Sequence, residues 1–381
     1  RIMALVLNEE QQMLKESAQG FLAEFAPVSE LRKQRDAGSE TGYAGNLWGQ
    51  MVDMGWAAIL VPEAYGGLEF GHVGMGQIVE QTGRTLTASP LFATGVLGVT
   101  AINGAGSEEQ KTELLGAIAG GEITTALAVD EKAHHAPAQV SMAATKQGQG
   151  YSLNGHKCFV ADGGTADKLI VAARTSGEAG DMQGISLFIV DRAASGVEVE
   201  RTAMTDGRNY ANISFNNVEV AEAALLGEEG KGFRALSATL DAGNVYLAAE
   251  LLGIAQESFD RTLQYLKERK QFGVLIGSFQ ALQHRAADWW SQVELCKSIV
   301  LKALQAMDAA DAKVPALASI AKAKLSEVAE LATNEAIQMH AGIGMTDEYE
   351  IGFFIKRSRP AQTLFGDNSY HTDRFALLNG Y

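Results

Sequence analysis

The segment Tyr265-Leu-Lys-Glu-Arg-Lys-Gln-Phe-Gly273, followed by Phe279-Gln-Ala-Leu-Gln-His284, places a cation, two amides and aromatic rings around one helix-to-helix turn. A guanidinium offers a planar fork of charge-assisted hydrogen bonds to phosphate oxygens and stays protonated at any working pH. With flat rings beside it, the grouping suits a buried phosphate and a planar base. Taken singly, these residues have plainer readings: a Glu-Arg-Lys run as a solvated helix face, and Phe272 and Phe279 as core. Near the C-terminus, Phe365-Gly-Asp-Asn-Ser-Tyr-His-Thr-Asp-Arg374 offers the carboxylate of Asp367. In a dry pocket such a group acts as a general base, because desolvation raises its proton affinity toward the working pH. Its second reading is a helix N-cap or turn residue ahead of residues 370–378.

Helices must carry both groups, and apolar spacing predicts them. Met13, Leu14, Phe21, Leu22 and Phe25 recur at helical intervals between Glu9 and Phe25, and residues 47–54 and 74–83 continue the pattern. Pro62 and the Gly66-Gly67 pair mark a loop between them. From Ile123 the pattern changes to short apolar or alternating runs at 124–129, 151–160, 168–173, 185–190 and 212–220, which predicts an antiparallel β domain. Strand signals stop at Gly230-Lys-Gly-Phe233. Long helical patterns follow over about 233–307 and 316–342, with a break at Asp308 to Pro315. The expected domains are therefore helical (1–122), β (123–231) and helical (232–381).

With 381 residues and 46% hydrophobic content, the chain can bury a large core. Its net charge of −15, from 31 Lys and Arg against 46 Asp and Glu, argues against a nucleic-acid partner, since little counterion release is available. Cys158 and Cys296 lie far apart without metal-ligand spacing, so neither a disulfide framework nor a metal site is expected. His134 and His135 read as loop residues, with no third ligand in view. No apolar run approaches the ~20 residues of a membrane span, and Arg1-Ile-Met-Ala-Leu-Val-Leu is too short for the apolar region of a signal peptide. The expectation is a cytoplasmic protein, or one from a matrix after processing, without a membrane partner.

Four motifs succeed one another along the chain: Pro62-Glu-Ala-Tyr-Gly-Gly67, Leu153-Asn-Gly-His-Lys157, Glu268-Arg-Lys-Gln-Phe-Gly273 and Gln338-Met-His-Ala-Gly-Ile-Gly344. In these motifs and in its α, β, α order, essentially the whole chain resembles the acyl-CoA dehydrogenase superfamily. The resemblance implies an α+β multidomain fold with an N-terminal helical domain, a middle antiparallel β-barrel or sandwich and a C-terminal four-helix bundle. It also implies FAD as cofactor and an acyl-CoA thioester as substrate, desaturated at its α,β bond. A base removes the α proton, flavin N5 accepts the β hydride, and an electron-transfer flavoprotein takes the electrons. By the same resemblance, Arg269 reaches the flavin diphosphate of a neighbouring subunit, and Gln271, Phe272, Phe279 and Gln280 surround that dinucleotide. Gln338 and Gly342 match the next cofactor segment, where glycine allows close backbone approach. Phe159 matches a residue covering the flavin ring.

Anchoring the resemblance on Arg374 places Asp367 at the base position, Asn368 at a glycine and Ser369 at a hydroxyl residue that serves the cofactor. Anchoring on Gly344 puts Phe365 there instead, so a two-residue insertion is expected within 356–364. Most relatives carry glutamate as base; aspartate resembles nitroalkane oxidases, and Phe-Gly-Asp resembles dehydrogenases of bulky sterol-derived thioesters. The alternative carboxylate of some subfamilies falls here on Gly243, while Asp241 and Asn244 are expected to line the thioester cleft. The β domain departs most. Where relatives carry flavin-binding hydroxyls, this chain reads Asp130-Glu-Lys-Ala-His-His135 and Phe159-Val-Ala161. Three readings stand: a dehydrogenase acting as a homodimer or homotetramer, a half-site or non-catalytic subunit of an α2β2 heterotetramer, and a nitroalkane-oxidase-like flavin oxidase.

Overall fold

The computed structural model describes residues 5–381, so the reading of the opening Arg1-Ile-Met-Ala stretch lies outside the described residues. In chain order the helices are α1 (Glu9–Phe25), α2 (Val28–Asp36), α3 (Gly45–Asp53), α4 (His72–Thr85), α5 (Val99–Ala105), α6 (Glu108–Gln110), α7 (Gly116–Ala119), α8 (Phe233–Glu268), α9 (Gln280–Asp308), α10 (Val314–His340), α11 (Ile351–Thr363) and α12 (Asn368–Leu378). The strands are β1 (Thr125–Ala128), β2 (Ala143–Gln147), β3 (Gly150–Ala161), β4 (Lys168–Arg174), β5 (Ile185–Asp191), β6 (Val197–Ala203), β7 (Asn209–Ala221), β8 (Leu225–Leu226), β9 (Lys270–Gln271) and β10 (Val274–Leu275). The residues group into two compact units. One contains residues up to Lys33, His72–Thr87 and Asn244–Tyr381; the other contains Gln34–Gly71 and Ala88–Gly243.

In the first unit α1 begins where a local signal places it. Asn8 accepts from the Gln11 backbone N–H while the Gln11 side chain returns to the Asn8 N–H, a reciprocal cap that fixes the start at Glu9. Helices α4 and α8 approach closely through two glycines. A Cβ at Gly83 would lie 2.2 Å from the Glu250 carbonyl oxygen, and one at Gly253 would lie 2.0 Å from that of Glu80. Helix α10 packs against α9, α11 and α12. Its buried positions Ala318, Lys322, Leu325 and Ala329 fall at helical intervals. The uninterrupted α11 occupies the stretch where the sequence comparison calls for an insertion.

In the second unit the sheet runs β6-β7-β3-β2-β4-β5-β8, with β1 paired to β4. Its core includes Leu153, Leu169, Phe188, Ile213 and Phe215. The sheet is antiparallel except where β1 lies parallel to β4, from Thr125 opposite Lys168, and where Ala143 meets Arg174 in parallel. The sheet is thus antiparallel in most of its pairings, as the sequence predicts, with parallel pairing at these two places. All four residues of β1 are buried, the burial typical of a parallel strand covered on both faces. Strand β2 escaped the sequence reading because most of its residues are polar or exposed, whereas β6 carries a short alternation, Val197-Glu-Val-Glu200, whose two valines pack against the core and were the signal available.

Candidate active site

Arg269 follows α8 directly and leads into a two-residue hairpin in which β9 pairs antiparallel with β10, Gln271 opposite Val274. The two turn residues, Phe272 and Gly273, have φ of +55° and +79°. A type I′ turn requires positive φ at both central positions, which glycine adopts freely and phenylalanine rarely does. The turn throws Phe272 outward, 91% exposed. Its ring meets that of Phe279 edge-on, with centroids 6.2 Å apart. Gln271 and Gln280 are exposed beside them, as are Gln338 near the end of α10 and Gly342 in the turn that follows. Among the described residues no side chain pairs with the Arg269 guanidinium. An uncommitted cation beside two exposed aromatic rings fits a dinucleotide, whose phosphate and flat base would satisfy both.

Phe159, in β3, also has positive φ (+53°) and is 47% exposed. The loop that precedes β2 is closed on itself. The Asp130 carboxylate accepts from His135 Nδ1–H at 2.8 and 3.0 Å and from the Ala136 N–H at 3.3 Å. Glu131 accepts from Lys157 Nζ at 2.7 Å, from the Met142 N–H at 3.0 Å, and from both the backbone and hydroxyl of Ser141. Lys157, fully buried, also donates to the Val129 carbonyl at 2.9 Å. Burial pulls the Lys157 ammonium down while Glu131 pulls it back. Burial likewise pushes Glu131 up, but the Lys157 charge and the donated hydrogen bonds prevail and hold it below its usual value. Among the described residues no group of three or more His, Cys, Asp or Glu side chains could hold a metal ion.

Asp367 lies between α11 and α12, after two residues with positive φ, Phe365 (+58°) and Gly366 (+106°). Only glycine fits at 366, since a Cβ there would lie 2.3 Å from the Tyr370 ring. Asp367 is the N-cap of α12: Oδ1 accepts from the Tyr370 N–H at 2.9 Å, and Oδ2 takes no hydrogen bond from any described residue. The residue is exposed, as is Ser369 in the first turn. The dry pocket expected around Asp367 is therefore not supplied by the chain alone, because the residue is exposed. Asp241 and Asn244 lie one turn apart on α8 and are both buried.

Residues 8–122, 126–218 and 230–376 match the N-terminal, middle and C-terminal domains of acyl-CoA dehydrogenase. Over 355 residues, 91% of each chain, the protein is 34% identical to a probable acyl-CoA dehydrogenase, YngJ, of Bacillus subtilis. The chain belongs to the acyl-CoA dehydrogenase family. It is 32% identical over 332 residues to cyclohex-1-ene-1-carbonyl-CoA dehydrogenase of Geobacter metallireducens, covering 86% of each. Its fold matches butyryl-CoA dehydrogenase from Megasphaera elsdenii with a TM-score of 0.92 at 28% identity, covering 99% of this chain and 100% of that one.

The partner of one buried carboxylate and the role of one buried lysine in this acyl-CoA dehydrogenase were not read from its sequence. Glu250, which sits near the alternative base position, is held by Arg357 through two hydrogen bonds of 2.8 Å. That pairing commits its carboxylate to the core. Lys322 points its ammonium at the loop before Asp367. Its place on the buried stripe of α10 was the available signal, since a lysine at a core position needs acceptors nearby.

Proposed function

We propose that this enzyme abstracts the α proton of an acyl-CoA thioester with Asp367 while the β hydride leaves. The observation that carries the reading is the Asp367 carboxylate itself: Oδ1 is fixed by the Tyr370 N–H, and Oδ2 is left to receive a proton. The Tyr370 N–H at the start of α12 holds the carboxylate in place before substrate arrives. Asp241 and Asn244 line the thioester cleft. Arg269 binds the cofactor's phosphates, with Phe272 and Phe279 against its flat base and Gln271, Gln280, Gln338 and Gly342 around it; Phe159 and Ser369 serve the ring. FAD, when bound, supplies the hydride acceptor. An electron-transfer flavoprotein is the reoxidation partner, and a second copy of the chain completes each site as a homodimer or homotetramer.

A second reading draws support from the β-domain loop. Asp130 and Glu131 are spent on His135 and Lys157, and no hydroxyl stands where relatives offer one. This favours an α2β2 heterotetramer in which the chain completes a flavin held mainly by another subunit.

Anaerobic titration of the purified protein with a panel of acyl-CoA thioesters, following flavin absorbance, tests both readings. One flavin per chain that bleaches with a thioester supports the first, and little retained flavin supports the second. Bleaching by a nitroalkane without CoA would overturn both. Asp367→Asn keeps a good N-cap but removes the base, so turnover falls about 10²- to 10⁴-fold. Full turnover in that variant would sink the assignment of Asp367.

A further inference from the structure

The Lys322 side chain is fully buried on α10, and its Nζ donates to the carbonyls of Gln362 at 3.2 Å, Leu364 at 2.7 Å and Gly366 at 2.9 Å. An ammonium has three N–H donors, and each has an acceptor here. The three carbonyls belong to one stretch. Gln362 lies in the last turn of α11, where carbonyls have no partner within the helix. Leu364 and Gly366 lie in the loop that turns through positive φ to deliver Asp367.

Burying a lysine is costly unless its charge is answered, and an apolar side chain of similar volume would fill the same space more cheaply. Its position is therefore better explained by what it holds. Burial pulls the ammonium down to about 7 against the opposing pull of the nearby Asp367 carboxylate. The carbonyl acceptors favour the same charged form, as a cation at a helix C-terminus does generally. Two further contacts secure the stretch: His371 Nε2 bonds the Phe365 carbonyl at 3.0 Å, and Asn368 Nδ2 donates to the Ala323 carbonyl at 2.9 Å.

We propose that Lys322 is the positioning residue for Asp367: its ammonium gathers the carbonyls of residues 362, 364 and 366 and so fixes where the base carboxylate stands and in which direction it faces. The proposal rests on the reading of Asp367 as base. It assigns Lys322 no contact with substrate or cofactor.

The test uses the full-length, flavin-loaded protein carrying Lys322→Met, with hydrogen exchange by mass spectrometry and steady-state kinetics on the thioester that bleaches the flavin. Exchange over residues 362–371 is expected to rise about tenfold or more while α9 stays protected. With the base displaced, kcat is expected to fall about tenfold or more, and KM to move by less than about threefold, as loss of orientation rather than of binding would give. Unchanged exchange over 362–371 would overturn the clamp, and raised exchange with unchanged kcat would overturn the positioning role. If Lys322→Met does not fold, Gly366→Ala disturbs the same stretch with Lys322 intact. It should show the same pair of changes, and wild-type kcat with a loosened loop would again count against the proposal. Asp367→Asn separates the two ideas. Full turnover in that variant removes Asp367 as base, and the proposal with it, even where Lys322→Met loosens the loop.

Discussion

Arg357 grips Glu250 at both carboxylate oxygens, Nε to Oε1 and Nη2 to Oε2, each at 2.8 Å, with side-chain exposures of 5% and 6%. Such a fork satisfies both charges in a place where neither could stand alone. Arg357→Met leaves a buried carboxylate without its cation and is expected to destabilise the protein by roughly 3–5 kcal/mol. Replacing both residues, as Glu250→Leu with Arg357→Met, should recover most of that loss. Denaturant unfolding of the two variants checks this, and an Arg357→Met protein as stable as wild type would contradict the role given to the pair.

The crossing of α4 and α8 depends on absent side chains. A Cβ at Gly253 would sit 2.0 Å from the Glu80 carbonyl oxygen, and the neighbouring helix would have to move. Alanine is otherwise the better helix former by about 1 kcal/mol, so propensity and packing give opposite signs here. Overpacking is expected to win, with Gly253→Ala destabilising by about 1–3 kcal/mol. A raised melting temperature in that variant would show that the crossing relaxes at little cost.

Elements with a strong apolar period were legible from sequence. Residues 9–25 are α1, and the run at 168–173 lies within β4. What could not be read depends on partners distant in the chain. Lys322 has its acceptors forty or more residues further on, and Glu250 meets Arg357 across 107 positions. The Arg269 block was visible as a motif, yet nothing in its composition announces that Phe272 takes positive φ and faces outward. The capping role of Asp367 was legible, because aspartate ahead of a helical stretch is a cap whether or not it also moves a proton.

The Glu131–Lys157 pair gives the β domain a pH dependence of definite sign. Glu131 titrates below its ordinary 4.5: burial pushes it up, but Lys157 and the Ser141 and Met142 donors outweigh this. A depressed folded-state value means that the unfolded chain binds the proton more readily. The stabilisation is therefore complete above about pH 4.5 and is lost as pH falls through the lower folded-state value. Glu131→Gln should lower the melting temperature at neutral pH, because Lys157 loses its counter-charge. It should also flatten the acid limb of the melting curve relative to wild type. Parallel acid limbs in the two proteins would mean that Glu131 is not what titrates there.

Arg269 separates a structural from a ligand-binding role more sharply than the buried pairs do. It is exposed, and no described side chain engages its guanidinium. Removing it should leave the apo chain's stability within about 0.5 kcal/mol of wild type, as for other surface positions without partners. A hydrogen bond to a charged group contributes about 1.5–3 kcal/mol, so Arg269→Ala should weaken flavin binding by about 10- to 100-fold. Arg269→Lys should recover only part of this, since an ammonium keeps the charge but not the fork. Flavin-to-chain ratio after gel filtration, read beside melting of the flavin-free protein, gives both numbers from one preparation. Loss of stability with flavin affinity intact would make Arg269 a structural residue and return the hairpin's exposed rings to an interface with no cofactor in it.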